Sequence, residues 1–203
     1  MMRLYHCVGA RSMRSLWLLY EMGVEFELET LEFSMESLRT PDYLSVSPLG
    51  RVPCLVDKEV KLFESGAICQ YLCEHYDDGR LYRAPGSRDR IKWLQWIHYA
   101  ETIAVHGAAL VQQKVFIAPK KRSDVVQKLE SRRLFLSIKM LEPILSEQKY
   151  LLGDSFTAVD TGIGYSIHLA KQFIDTSALT AVEAYYERLI SRDAFQRASL
   201  VDA

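Results

Sequence analysis

The stretch SPLGRVPCLVDKEVKLFESGAI, residues 47–68, decides the fold class. It holds two short runs rich in β-branched and apolar residues, 52–56 and 60–63. They flank a polar tip at 57–59, which predicts an antiparallel hairpin. Pro53 heads the first run, where a residue that cannot donate to a sheet ladder belongs. After the second run Ser65 is expected to cap a helix carrying Ile68, Leu72 and Tyr76 and ending near Gly79.

Working back from the hairpin, residues 38–50 are polar, with two prolines and several serines, and predict a loop with one short helix. Residues 3–7 read as a strand. Residues 12–22 place Met13, Leu16, Trp17 and Tyr20 at i, i+3, i+4 and i+7, the spacing of an amphipathic helix, with Gly23 as its stop. Residues 26–31 read as a second strand. The order is therefore β-α-β, a connection, then β-β-α: a mixed sheet whose first half needs parallel pairing and whose second half is antiparallel.

Working forward, strand signals vanish. Residues 80–87, with Pro85 and Gly86, read as a linker. Helical patterns follow at 88–118 (ended by Pro119), 123–145 (with Pro143 near its end), 157–173 and 180–190, with a last turn from Arg192. The expected organisation is an α/β domain at 1–79, a linker at 80–87 and an all-helical domain at 88–203.

Composition narrows the function classes. The chain has 203 residues, 25 basic and 26 acidic, for a formal net charge of -1. That balance lacks the basic footprint of a nucleic-acid binder, and the cluster 120–122 reads as a solvated helix connection. The amino terminus runs directly into a strand without a signal-peptide pattern, and no apolar run is long enough to span a membrane. Cys7, Cys54, Cys69 and Cys73 form neither a CxxC pair nor a zinc spacing. Reduced thiols in a cytoplasm, with no metal, are expected.

Three local features carry chemistry. Arg51, Val52 and Pro53 open a strand. With a cis bond before Pro53, the Val52 backbone would face outward and pair with an extended peptide; with a trans bond it is an ordinary strand start. Glu64 and Ser65 stand where a strand meets a helix. The helix N-terminus and the Ser65 hydroxyl suit a carboxylate and Glu64 suits an ammonium, together the head group of an α-amino acid. Thr157 and Asp160 have the spacing of a capping box, a folding signal. In the long helix, Trp93, Trp96 and Tyr99 read as packing, His98 as a surface or interface residue, and His106 as a polar candidate for a cleft.

These features, in this order and spacing, resemble the cytosolic glutathione transferase family. The likeness spans nearly the whole chain and is nearest to bacterial members that begin YHSPGSRSFR, matched by YHCVGARSMR at residues 5–14. The resemblance implies a thioredoxin-like βαβ-ββα domain and a helical bundle, usually assembled as a homodimer. It implies that Pro53 is cis, that Val52 pairs with the cysteinyl part of glutathione, and that Glu64 and Ser65 hold its γ-glutamyl end. It also implies that Arg51 faces the glycyl carboxylate. Glutathione is the implied co-substrate and a small hydrophobic electrophile the implied partner, met beside His106.

One departure stands out. Relatives activate the glutathione thiol with a hydroxyl or thiol at positions that fall on Ala10 and Arg11 here. Ser12 is the nearest remaining hydroxyl, Cys7 the second candidate, and Arg11 offers its charge; Tyr5 reads as packing. A glutathione-dependent isomerase, dehalogenase or thiol reductase, or a non-catalytic binding protein on the same fold, are the alternatives.

Overall fold

The computed structural model describes residues 1–201. They form two compact units. One comprises residues 1–84 with the C-terminal segment from Ile190; the other is Pro85–Leu189.

The first unit is built on strands β1 (Arg3–His6), β2 (Glu27–Thr30), β3 (Cys54–Asp57) and β4 (Val60–Phe63), in the spatial order β2-β1-β3-β4. β1 pairs parallel with β2, Leu4 opposite Leu28, and antiparallel with β3, Leu4 opposite Leu55. β3 and β4 form the hairpin, Leu55 opposite Leu62. A parallel pair needs a crossover, and α1 (Met13–Met22) provides it. Every residue of α1 from Met13 to Leu19 is buried. Gly23 closes the helix in the left-handed region, its N–H returning to Leu19 O. Short helices α2 (Met35–Leu38) and α3 (Pro41–Leu44) lead to the hairpin, and α4 (Ser65–Tyr76) follows it. Asp57, at the end of β3, accepts from the hydroxyls of Tyr71 (2.8 Å) and Tyr76, tying the sheet to α4.

The second unit contains α5 (Arg90–Val111), α6 (Asp124–Lys139), α7 (Glu142–Leu145), α8 (Ala158–Ala170) and α9 (Thr180–Ile190). α5 and α8 approach closely because small residues face each other: a side chain added at Gly162 would lie 3.3 Å from the Ala100 methyl. The capping box is present. Asp160 is fully buried and accepts from Thr157 N–H (2.7 Å), the Thr157 hydroxyl (3.1 Å), Leu151 N–H (3.2 Å) and the Tyr185 hydroxyl (2.8 Å). Burial pushes its carboxyl upward against those four donors. Trp93 and Trp96 are core residues, and Tyr99 donates to Ser137 O at 3.0 Å.

Four boundaries differ from the sequence reading. α5 gives way to a π-helical turn at Gln112–Phe116 well before Pro119, and Arg122 donates to the Lys114 carbonyl within that turn and to the Ile117 carbonyl just after it. Residues 123–145 are two helices, because Pro143 lies in the first turn of a new one, where its missing N–H costs nothing. The expected last turn is a helix, α10 (Asp193–Val201). It packs on α1 and groups with the first unit: Arg192 meets Glu21 through two bonds of 2.6 and 2.7 Å, and Phe195 stands edge-on to Trp17 at 4.9 Å. Finally, Ser65 is the first residue of α4, and the capping position is Glu64.

Candidate functional site

Three segments of the first unit converge at the ends of β1, β3 and β4. The first is the turn from β1 into α1. His6 and Ser12 are both fully buried, and Ser12 Oγ lies 2.9 Å from His6 Nδ1. The same oxygen accepts from Cys7 N–H at 3.2 Å and lies 3.4 Å from Cys7 O. A serine at the entry to α1 thus holds the turn that ends β1, in place of a side-chain cap on the helix.

The second segment leads into β3. Gly50 has φ +57°, and a side chain there would lie 2.3 Å from the Leu38 carbonyl oxygen, so only glycine fits. The Arg51 carbonyl accepts from the Tyr43 hydroxyl at 2.7 Å and from Ser47 Oγ at 2.8 Å, while Arg51 N–H donates to Ser47 Oγ at 3.1 Å. The Val52–Pro53 bond is cis. β3 pairs with β1 only from Cys54, so Val52 precedes the ladder. Val52 and Tyr5 are half-buried against a cluster formed by Cys7, Ala10, Leu38, Tyr43 and Cys54, which joins this segment to the first.

The third is the junction of β4 and α4. Glu64 is exposed and adopts φ 75°, ψ 114°, a conformation unfavourable for any residue with a side chain. Ser65 follows, 6% exposed, at the first position of a 12-residue helix. Its hydroxyl accepts from Arg14 Nη1 at 3.2 Å, and Arg14 is itself buried on α1. This bond joins the third segment to the first. The positive end of α4, the Ser65 hydroxyl and the buried guanidinium form a place for an anion, and Glu64 a place for a cation, side by side.

Of the residues singled out from the sequence, Cys7, Ser12, Val52, Pro53 and Ser65 are thus drawn together, with Arg51 and Glu64 exposed at the edge and Arg11 half-buried at the start of α1. Neither Ser12 Oγ nor the Cys7 thiol is presented at the surface, both residues being fully buried, and burial pushes the Cys7 thiol up to about 11. His106 lies in the second unit, where its Nδ1 is 2.7 Å from Glu130 Oε2. Sequence reasoning missed Arg14, Tyr43 and Ser47. For Arg14 a signal existed: a cation inside the run MRSLWLL, which is otherwise apolar apart from Ser15.

A family model described as glutathione S-transferase, N-terminal domain, matches residues 1–74. Glutathione S-transferase F13 of Arabidopsis thaliana is 31% identical over 200 residues, covering 92% of this chain and 89% of that protein. The chain belongs to the glutathione S-transferase family. A bacterial member, glutathione S-transferase GstA of Escherichia coli O157:H7, is 26% identical over 203 residues, covering 97% of this chain and 96% of its own. Among solved structures, the theta class glutathione S-transferase from Xanthomonas axonopodis pv. citri, determined with glutathione bound, superposes with a TM-score of 0.86. It shares 25% identity and covers 97% of this chain and 96% of its own. The four-stranded mixed sheet and the separate helical unit are the thioredoxin-like domain and helical domain of the family.

Proposed function

We propose that this protein binds glutathione and transfers its thiolate to small hydrophobic electrophiles. The observation that carries the reading is the pairing of an outward carboxylate, Glu64, with a helix N-terminus bearing Ser65, beside the cis Val52–Pro53 segment. Glu64 takes the glutamyl ammonium, and Ser65 with the α4 N-terminus takes its carboxylate. The Val52 backbone pairs with the cysteinyl residue, and Arg51 faces the glycyl carboxylate. The family relative solved with glutathione bound supports the same ligand.

Chemistry then requires the thiolate. A free thiol has a pKa near 8.5, and lowering it by about two units takes roughly 2.7 kcal/mol. One charge-assisted hydrogen bond of about 1.5–3 kcal/mol is of that size. With Ser12 and Cys7 occupied in holding the turn, the Arg11 charge and the N-terminal end of α1 are the groups we assign to the anion. Ser12 enters by fixing that turn, and Cys7 by its N–H and carbonyl. The thiolate forms a carbon–sulfur bond, the leaving group departs with its electron pair, and the thiol proton passes to solvent. His106 is kept as a contact for the second substrate. Exposed Val125, Leu129 and Leu136 on α6 offer apolar area to the homodimer that the family resemblance implies.

Calorimetric titration with reduced glutathione, read together with ultraviolet thiolate absorbance, tests the reading. Saturable binding with a thiolate signal at neutral pH is expected, and electrophile screening follows from it. A second reading rests on Ala10, which brings no hydroxyl to the position used by relatives: binding without thiolate would identify a glutathione-binding protein without transferase chemistry. No binding at millimolar glutathione would remove both.

A further inference from the structure

We propose that Cys69 and Cys73 form a dithiol site on α4 for a trivalent arsenical that carries one organic group, a ligand completed by two sulfurs. The site uses no residue assigned to glutathione and stands independently of that reading.

The two thiols lie one turn apart on the buried face of α4, with Ile68 and Leu72, where the helix packs on α1, β3 and β4. Cys73 is 1% exposed and Cys69 7%, and the two side chains share a hydrogen bond. Cys69 is therefore the member that a reagent meets first. Residues four apart on a helix hold their Cβ atoms about 5–6 Å apart. A disulfide needs about 3.5–4.5 Å. The intact helix thus keeps the pair from closing on itself, whereas one atom bonded to both sulfurs bridges the longer gap. Because α4 has already fixed both ligands, the second sulfur binds without further ordering.

Coordination and charge choose the bridging atom. Among the described residues, no group of three or more His, Cys, Asp or Glu side chains is placed to hold a metal ion, so a four-coordinate cation finds no ligand set. A linear two-coordinate cation would part the sulfurs by twice its bond length, roughly 4.6 Å for bonds of the zinc–sulfur kind, and break their contact. Arsenic is pyramidal and holds two sulfurs side by side. The hydrogen bond with Cys69, followed by burial, pushes the Cys73 thiol well above its ordinary range, so a lasting thiolate is disfavoured. That makes the pair a poor nucleophile toward alkylating agents. It also counts against a monovalent cation, whose complex with two thiolates keeps a negative charge in a buried place. An arsenical bearing one organic group and two hydroxyls leaves no charge. Two As–O bonds break and two As–S bonds form. Each thiol proton leaves on a hydroxyl as water, and arsenic stays trivalent. The product is neutral, as the buried face of the helix requires.

The test uses the full chain and phenylarsine oxide, which hydrates to such a dihydroxide. Wild type is expected to take one equivalent, read by intact mass as the gain of one reagent less one water. Tandem mass spectrometry is expected to place the bridge on Cys69 and Cys73. The adduct should survive millimolar glutathione, a monothiol, and be removed by dithiothreitol. The melting temperature is expected to rise with reagent, because the folded helix presents both sulfurs together and the unfolded chain does not. Cys69→Ala and Cys73→Ala, each checked for helix content by circular dichroism, are expected to bind roughly a hundredfold more weakly, since the chelate is lost. A bridge on other cysteines, no adduct with the folded wild type, or single variants that bind as tightly overturns the assignment. A melting temperature that falls with reagent overturns it too, since the reagent would then be trapping the unfolded chain. The mapping and the melting shift of wild type decide the matter even where a variant fails to fold.

Discussion

Glu64 offers a measurement in which the usual order of two substitutions reverses. At an ordinary position glycine is less stable than alanine by roughly 0.5–1 kcal/mol, because the unfolded chain gains freedom. At φ 75°, ψ 114° a Cβ is penalised, and holding a non-glycine residue in such a region costs of order 1–3 kcal/mol. Glu64→Gly removes that strain at the cost of the entropy, so the net gain over Glu64→Ala is about 0–2.5 kcal/mol. The alanine variant keeps the strained backbone and lacks the carboxylate. Neither variant loses a side-chain cap, because Glu64 makes none to the α4 backbone. Urea unfolding gives the comparison directly, provided the slope with denaturant stays constant across the three proteins.

The same pair of variants separates stability from binding. Both lack the carboxylate proposed to meet the ligand ammonium, and an interaction of about 1–2 kcal/mol there corresponds to a loss of roughly 5–30-fold in glutathione affinity. The expected pattern is a glycine variant that is more stable than alanine and binds as weakly. A glycine variant less stable than alanine by the usual margin would refute the claim that the backbone at Glu64 is strained. Undiminished affinity in both would refute the role given to its carboxylate.

Gly50→Ala is expected to cost about 2–3 kcal/mol in urea unfolding and to weaken glutathione binding, because the positive φ and the Leu38 carbonyl oxygen at 2.3 Å both exclude a methyl group. Asp160→Ala leaves four buried donors without their acceptor and is expected to cost about 3–5 kcal/mol by the same assay, whereas Asp160→Asn, which retains one acceptor oxygen, costs less. The His106 ring and Arg133 hold the Glu130 carboxyl below its ordinary value of 4.5. A carboxyl lowered on folding adds stability above its unfolded value and loses it as the pH falls, so Glu130→Gln is expected to flatten the decline of melting temperature below about pH 4.5. Burial pushes the Cys7 and Cys54 thiols up to about 11, so neither is expected to react with a thiol reagent at neutral pH until the chain unfolds; rapid labelling of Cys7 would favour a thiol reductase.

The elements that a chain declares through periodicity were legible in advance: the β-α-β and β-β-α order, the helix on Met13, Leu16 and Trp17, and the Thr157–Asp160 box all stand in the structure. What failed were the ends. Pro143 stands near the end of one continuous helical pattern in the sequence, where it would kink or end the helix, but it begins a separate one, since proline is tolerated in a first turn as well as at a stop. Ser65 was read as a cap because serine caps most often, but cap identity is set by φ and ψ, and these put Glu64 in that place. The residues of the site were half legible. Glu64, Ser65, Val52 and Pro53 lie in one contiguous motif. Arg14 and Ser65 are 51 positions apart and meet only because α1 and α4 pack together. Ser12 was named for its hydroxyl, and only the fold reveals that His6 and Cys7 already engage it.

That division bears on what the chain has kept. Position 10 has no hydroxyl and position 11 has a cation, where the family resemblance implies a hydroxyl or thiol that activates the ligand thiol. The peptide-holding side is different. A left-handed Glu64, a glycine pressed against a carbonyl at position 50 and a buried Arg14 are each less stable than an ordinary residue in an ordinary conformation. Random change would relax all three, because the relaxed alternatives are numerous and stabilising. On the proposed reading Glu64 faces the head group of the ligand, whereas Gly50 shapes the turn that presents Arg51 and Val52. On the proposed reading, holding and activation rest on different residues. Replacing Arg11 should alter the thiolate signal far more than the affinity, and replacing Glu64 should do the reverse.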